Sequence, residues 1–200
     1  MAVPGTTGRA NQKLRTRNAI VQAAAELSRT GREVTMPEVA RAALVSEATA
    51  YRYFPDLASL LREAIAGQLP GADEALAPVA GSADPVERVT AATEFLLRHV
   101  LSRQGVVRAL IAATVVRPGQ PNARPGLRFG LIDSALAPLG DTLSAAALTQ
   151  LKLDLAVVVS AEALFSLTDL HGLEPEEAIR SIVHTAATLT RAALRDHERP

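Results

Sequence analysis

An all-α fold is what this sequence predicts, and three observations carry the expectation. Apolar residues, mostly Ala and Leu, make up 48% of the chain while aromatics make up 3%, a mixture that favours helices over strands. Apolar positions recur at spacings of three and four, with no alternating stretch that reads as a strand. Pro, Gly, Ser, Thr and Asp fall where helices begin and end.

Taken in order, the first helix is expected from about Lys13 to Ser28, with Ile20, Ala24 and Leu27 on one face and Gly31 as its stop. In "TMPE", Thr35 stands as an N-cap, Pro37 in the first turn and Glu38 three residues past the cap. That is a capping box with a proline where its missing N–H costs nothing. A short helix from Met36 to Ala43 follows, with Val39, Ala40 and Ala43 inward. Ser46 caps the next helix, Glu47 suits the positive end of its dipole, and Pro55 stops it after Tyr53. Asp56 caps a fourth helix, "LASLLREAIAGQ".

Further on, "LPGADEALAPVAGSAD" reads as a loop, and Asp84, Pro85 and Glu87 open a helix that runs to about Arg103. "GVVRALIAATVVR" is another helix, broken by the three prolines of "PGQPNARPG" (118–126), after which Phe129, Leu131 and Ile132 mark a short segment. One very long helix is expected from about Thr142 to Leu170, closed by "HG". The last opens at Glu174 to Ala178 and carries a stripe of Ile179, Ile182, Val183, Ala186, Leu189 and Ala193.

Charge and cysteine content exclude whole classes of function. With no Cys there are no disulfides, thiolate metal sites or Cys nucleophiles, which fits a reducing cytoplasm. The N-terminus has no apolar stretch and reads as no secretory signal. The run "LAVVVSAEALFSL" is short and holds Glu162, so it reads as a buried helix rather than a membrane span. His99, His171, His184 and His197 are far apart, and there is no HExxH, Gly-rich phosphate loop or GxSxG elbow. No metal, no cofactor and no catalytic residues are expected. Net charge is zero, but residues 1–54 hold eight Arg and Lys against four Glu, a surplus that the remainder balances. A basic head on an acidic body points to a polyanion met by the head alone.

Both tyrosines of the chain, Tyr51 and Tyr53, stand beside Phe54 in "VSEATAYRYFPDL". Helical neighbours two apart point about 200° from each other, so one of the two tyrosines must be exposed. Three short helices, the second and third joined by a tight turn at Leu44 and Val45, form a helix-turn-helix pattern that presents its last helix to a major groove.

"TMPEVARAALVSEATAYRYFPDLASL" resembles the DNA-binding domain of the TetR family of transcriptional regulators, with Thr35, Ala40, Ala43, Val45, Ser46, Thr49, Tyr51, Tyr53, Phe54 and Leu60 matching position by position. The resemblance covers roughly residues 13–66. The ending "SAEALFSLTDLHGLEPEEAIRSIVHTAATLTRAAL" is similar to the last two helices of many members, which form the dimer's four-helix interface. Two departures stand out. Leu44 occupies a turn position often held by Gly, and positive φ is costly for leucine, so either the turn is shaped differently or Leu44 is strained. Leu57 stands where Lys often makes a phosphate contact, leaving Arg9, Arg15, Arg17 or Arg62 to compensate.

The resemblance implies a flexible basic arm at 1–12, a helix-turn-helix domain at 13–56 (its motif at about 35–54) and a helical effector-binding and dimerisation domain at 57–200. DNA contacts are expected from Thr35, Ser46, Thr49, Tyr51, Tyr53, Arg15 and Arg17, and base reading from Glu47, Ala48 and Arg52. An effector pocket is expected among Phe95, His99, Phe129, Asp133, Glu162 and Phe165, and a dimer interface at Val158, Leu164, Ile179, Ile182, Val183, Ala186 and Leu189. The expected partners are double-stranded operator DNA, a second copy of the chain and a small molecule of unknown identity. Repression is the commoner outcome in this family. A helical enzyme or a dimerisation scaffold without DNA binding is the rival reading.

Overall fold

The computed structural model describes residues 6–66, 70–116, 126–140 and 142–197; those described are helices and their connections, with no strand among them. The chain divides into two units, one of residues 1–69 and 102–125 and the other of 70–101 and 126–200. No helix among the described residues is long and apolar enough to cross a membrane.

The first unit holds α1 (Thr6–Ser28), α2 (Met36–Ala42), α3 (Glu47–Tyr53), α4 (Leu57–Ala66) and α7 (Gln104–Val116). α1 packs on α4 and α2, α2 on α3, and α4 on α7. Ile20 and Ala24 of α1 meet Val39, Ala50, Phe54, Leu60, Leu61 and Leu110 in one core. Leu60 and Leu61 are fully buried, and each contributes about 1.5–3 kcal/mol by leaving water. Capping confirms the expected starts. Thr35 and Ser46 cap α2 and α3, and the Ser59 N–H donates to Asp56 Oδ1 at 2.7 Å ahead of α4.

α7 reaches this unit through a glycine. A Cβ on Gly105 would stand 1.9 Å from the Arg32 carbonyl oxygen, and the Gly105 N–H donates to Gly31 O at 3.3 Å. Gly31 itself has φ +70°, which favours glycine. The boundary expected at residue 56 is therefore not the structural one. α4 and α7 belong with the head because their apolar faces complete its core. α1 also begins at Thr6, so residues 6–12 are helical rather than part of an arm. Their polar composition leaves no stripe for periodicity to detect.

The second unit holds α5 (Ala72–Leu76), α6 (Pro85–Ser102, to Leu101), α8 (Leu127–Ala135), α9 (Ala145–Val158), α10 (Ala161–Phe165) and α11 (Pro175–His197). The expected loop at 69–84 contains α5 and a 3₁₀ turn at Ala77–Val79. The break expected at 118–126 lies outside the described residues up to 125. The long helix expected over 142–170 is three pieces: α9, α10 and a π-helical turn at Ser166–Leu170. Val159 interrupts it at φ −80°, ψ 70°, and the Ser160 N–H donates to Val158 O at 2.9 Å, an inverse γ-turn. Ser160 then recaps the chain, its Oγ accepting from the Ala163 N–H at 3.1 Å.

α11 lays Ile179, Ile182, Ala186 and Thr190 against α9 and α10. Arg98 on α6 bridges Glu94 and Glu176 on α11, at 2.9 and 2.8 Å. Arg88 donates to the Ser134 and Ala135 carbonyls at 2.8 and 3.2 Å, capping the C-terminal end of α8.

Candidate nucleic-acid interface

The outward face of α3 follows from its register. Ala50 is fully buried and Phe54 nearly so, which turns Ala48 and Arg52 to the opposite side and Tyr51 to its flank, while Glu47 is the first residue of the helix; all four are exposed. Glu47 and Tyr51, and Ala48 and Arg52, are four-apart pairs that form two adjacent exposed rows. Tyr51 is 49% exposed and Tyr53 packs partly against the core, which answers the question of which tyrosine faces water.

The helix is held firmly at its start. Ser46 Oγ accepts from the Thr49 N–H at 3.2 Å and shares a 2.9 Å hydrogen bond with Thr49 Oγ1. Behind it, the Thr35 and Glu38 capping box ties α2: the Thr35 hydroxyl and N–H donate to Glu38 Oε2 at 2.8 and 3.0 Å. Those two bonds, the hydroxyl's foremost, hold the Glu38 carboxyl below the ordinary carboxylate range. Thr35 is thus engaged in capping, and it is partly buried.

The turn is a Schellman motif. The Leu44 N–H donates to Arg41 O at 3.2 Å and the Val45 N–H to Ala40 O at 2.9 Å. Leu44 takes the left-handed position at φ 56°, a conformation that costs a side-chain-bearing residue about 1–2 kcal/mol.

An open groove runs along this surface, lined by Gln12, Lys13 and Thr16 of α1 and by Leu44, Val45, Thr49, Arg52 and Tyr53. The Arg52 guanidinium lies over the Tyr53 ring, 5.6 Å from its centroid, which gives the cation a preferred position at the groove. Hydroxyls, an amide and two cations beside an exposed helix are the chemistry of phosphate and base-edge recognition.

The expected arginines divide. Arg15 is exposed on α1. Arg17 instead forms a two-pronged ion pair with Glu63 of α4 and lies over Phe54. Its charge is matched within the protein, which weakens its case as a phosphate ligand. Arg62 is partly buried, and the Arg9 side chain lies outside the described residues. Sequence reasoning did not place Gln12, Lys13 or Leu44 at the groove, because Gln12 precedes the expected start of α1 and nothing local to Lys13 or Leu44 marks that α1 and the turn line one surface.

In the second unit the six pocket candidates fall on three helices: Phe95 and His99 on α6, Phe129 and Asp133 on α8, Glu162 and Phe165 on α10. Phe129 is 51% exposed and Asp133 is exposed, paired to Lys152 at 2.9 Å, so α8 directs both outward. Glu162 meets Arg128 Nη1 at 3.4 Å, and that guanidinium stacks over Phe129 at 4.9 Å. Arg128 Nε is buried without a hydrogen-bond partner, a feature that sequence reading did not single out.

Four of the expected interface residues, Leu164, Ile179, Ile182 and Ala186, are at most 4% exposed within the chain itself. The stripe read as intermolecular is the seam between α11 and its neighbours, so these four leave no surface for a partner. Val158, Val183 and Leu189 remain partly exposed. α9 presents Leu153 and Val157 outward, 58% and 73% exposed.

A capped, outward-facing third helix on a small helical head defines a helix-turn-helix DNA-binding protein. Residues 19–64 match the family model described as bacterial regulatory proteins, tetR family. The chain is similar to the crystal structure of a TetR transcriptional regulator from Rhodococcus sp. RHA1, at 25% identity and a TM-score of 0.52, over 88% of this chain and 96% of that one. No curated protein matches the chain. Residues 19–64 therefore carry a helix-turn-helix of the kind found in TetR family regulators, and the fold around it is similar to that of one such regulator.

Proposed function

We propose that the chain is a non-enzymatic cytoplasmic repressor that binds a palindromic operator as a homodimer and is released by a small-molecule effector. The observation that carries this reading is the outward face of α3, Glu47, Ala48, Tyr51 and Arg52, beside a groove that holds Lys13 and Thr49. Tyr51, Tyr53, Thr49 and Lys13 supply phosphate contacts that set register. Arg52 reads guanine, and Glu47 accepts from cytosine N4. Two such helices one DNA turn apart, about 34–36 Å, match the two halves of a palindrome.

The second copy covers the outward side of α9, Leu153 and Val157, together with the partly exposed Val158, Val183 and Leu189. The effector enters the second unit near Arg128 and Glu162, where a buried Nε lacks a partner. Coupling of about 1–3 kcal/mol between effector and DNA is enough to change occupancy severalfold or more. Sedimentation of the purified chain tests the assembly. Dimers, and monomers after Leu153→Lys with Val157→Lys, are the expected result; a monomeric wild-type chain at micromolar concentration refutes the homodimer.

A further inference from the structure

Leu44 is placed against its own preferences twice. Its φ of 56° belongs to the region that glycine occupies at little cost. Its side chain is 93% exposed, so no burial within the chain offsets that strain. The hydrogen bonds of the turn, Leu44 N–H to Arg41 O and Val45 N–H to Ala40 O, use main chain alone, and glycine makes both equally well. Yet this side chain borders the groove where Lys13, Thr49, Arg52 and Tyr53 gather. Backbone strain that local packing does not explain is a mark of functional positions.

We propose that Leu44 is a DNA-contacting residue whose isobutyl group packs on a deoxyribose of the strand held by Lys13, Thr49 and Tyr53. The proposal rests on the regulator reading. The cationic and hydroxyl neighbours suit phosphate oxygens, whereas an uncharged branched side chain among them suits the apolar face of the intervening sugar. Such a contact is the same beside every base, so it adds affinity and register without sequence information. A thymine methyl, by contrast, is read at one position.

The test uses the full-length chain and a duplex that the wild type enriches from a random-sequence library. Affinity is measured by fluorescence anisotropy across a salt series for wild type, Leu44→Gly and Leu44→Asn. Leu44→Gly is expected to melt higher than wild type, because its strain is relieved, and to bind about five- to tenfold more weakly. The slope of log affinity against log salt stays unchanged, since no counterion-releasing charge is lost. The same factor appears on duplexes with altered bases. Leu44→Asn, which tolerates positive φ without glycine's chain freedom, is expected to weaken binding alike.

Binding by both variants equal to or tighter than wild type overturns the role of Leu44 and leaves the regulator reading standing. A loss that disappears when one thymine is replaced by uracil assigns the contact to a base methyl and overturns the sugar. A wild-type chain that enriches no duplex overturns the regulator reading and this proposal with it.

Discussion

The Arg17 guanidinium lies 5.0 Å from the centroid of the Phe54 ring while both its terminal nitrogens donate to Glu63. Three elements meet in that relationship: α1, the end of α3 and α4. Phe54 is the C-cap of α3, so Arg17 braces the end of that helix against α1 and α4. The pair is about two-fifths exposed on each side, so solvent limits its strength to about 1 kcal/mol or less. The stacking adds about 0.5–1 kcal/mol. Arg17→Ala should therefore lower unfolding free energy by about 1–2 kcal/mol in urea titrations. Its DNA affinity should keep a wild-type salt slope, since a cation already neutralised by Glu63 releases few counterions. A shallower slope would make Arg17 a phosphate ligand after all.

Gly105 carries the second prediction. A methyl group there meets the Arg32 carbonyl at 1.9 Å and the Glu33 nitrogen at 2.8 Å, both backbone atoms that cannot swing aside. Gly105→Ala should destabilise the chain by about 1–3 kcal/mol or more and lower the thermal midpoint. Gly130→Ala is the control. Nothing stands within 4 Å of its added Cβ, and alanine inside a helix gains roughly 0.5–1 kcal/mol over glycine. Equal midpoints for the two variants would mean that α7 does not dock through Gly105.

On the DNA-facing surface, Arg52→Ala and Tyr51→Phe should differ in kind. Losing a bidentate guanine contact costs about 1–3 kcal/mol at one base position and relaxes preference there. Removing the Tyr51 hydroxyl should weaken every duplex by a similar factor. Binding to a panel of single-base operator variants separates the two patterns; a uniform loss for Arg52→Ala would remove its base-reading role.

Acid should loosen α2 through its capping box. The folded Glu38 carboxyl titrates below its unfolded value because Thr35 donates to its ionised form. Its stabilisation is therefore complete above the unfolded value and is lost as pH falls through the depressed folded one. Between neutral pH and the ordinary carboxylate range the cap contributes a constant amount. Glu38→Gln should flatten the acid limb of the stability curve; an unchanged limb would show that the box carries no titrating contribution.

The head was legible in the sequence because its signals are local. Thr35 with Glu38, Ser46, Pro55 and Asp56 each act within one helical turn, and each stands where it was expected. The Leu44 departure leaves two outcomes open, a differently shaped turn or a strained leucine, and the structure has the second. What escaped depends on distant neighbours. Nothing near Gly105 announces that α7 packs against Arg32, and Arg17 looks like any basic residue until Glu63, forty-six positions on, comes beside it. Periodicity marks the stripe on α11 but cannot tell a partner chain from α9 and α10, and Ile179 and Ile182 are buried within the chain itself. The break at Val159 falls in an apolar run, and the polar residue beside it, Ser160, reads equally well inside a helix.

The most direct test of the DNA-binding head is equilibrium binding of the intact chain to duplex DNA from around its own gene, followed across a salt series. The account predicts tight binding at low salt that falls linearly in log affinity against log salt, with a steep slope set by the phosphates neutralised, and that weakens again on Arg52→Ala. No binding at low salt to any such duplex, or binding indifferent to both salt and Arg52, would contradict it.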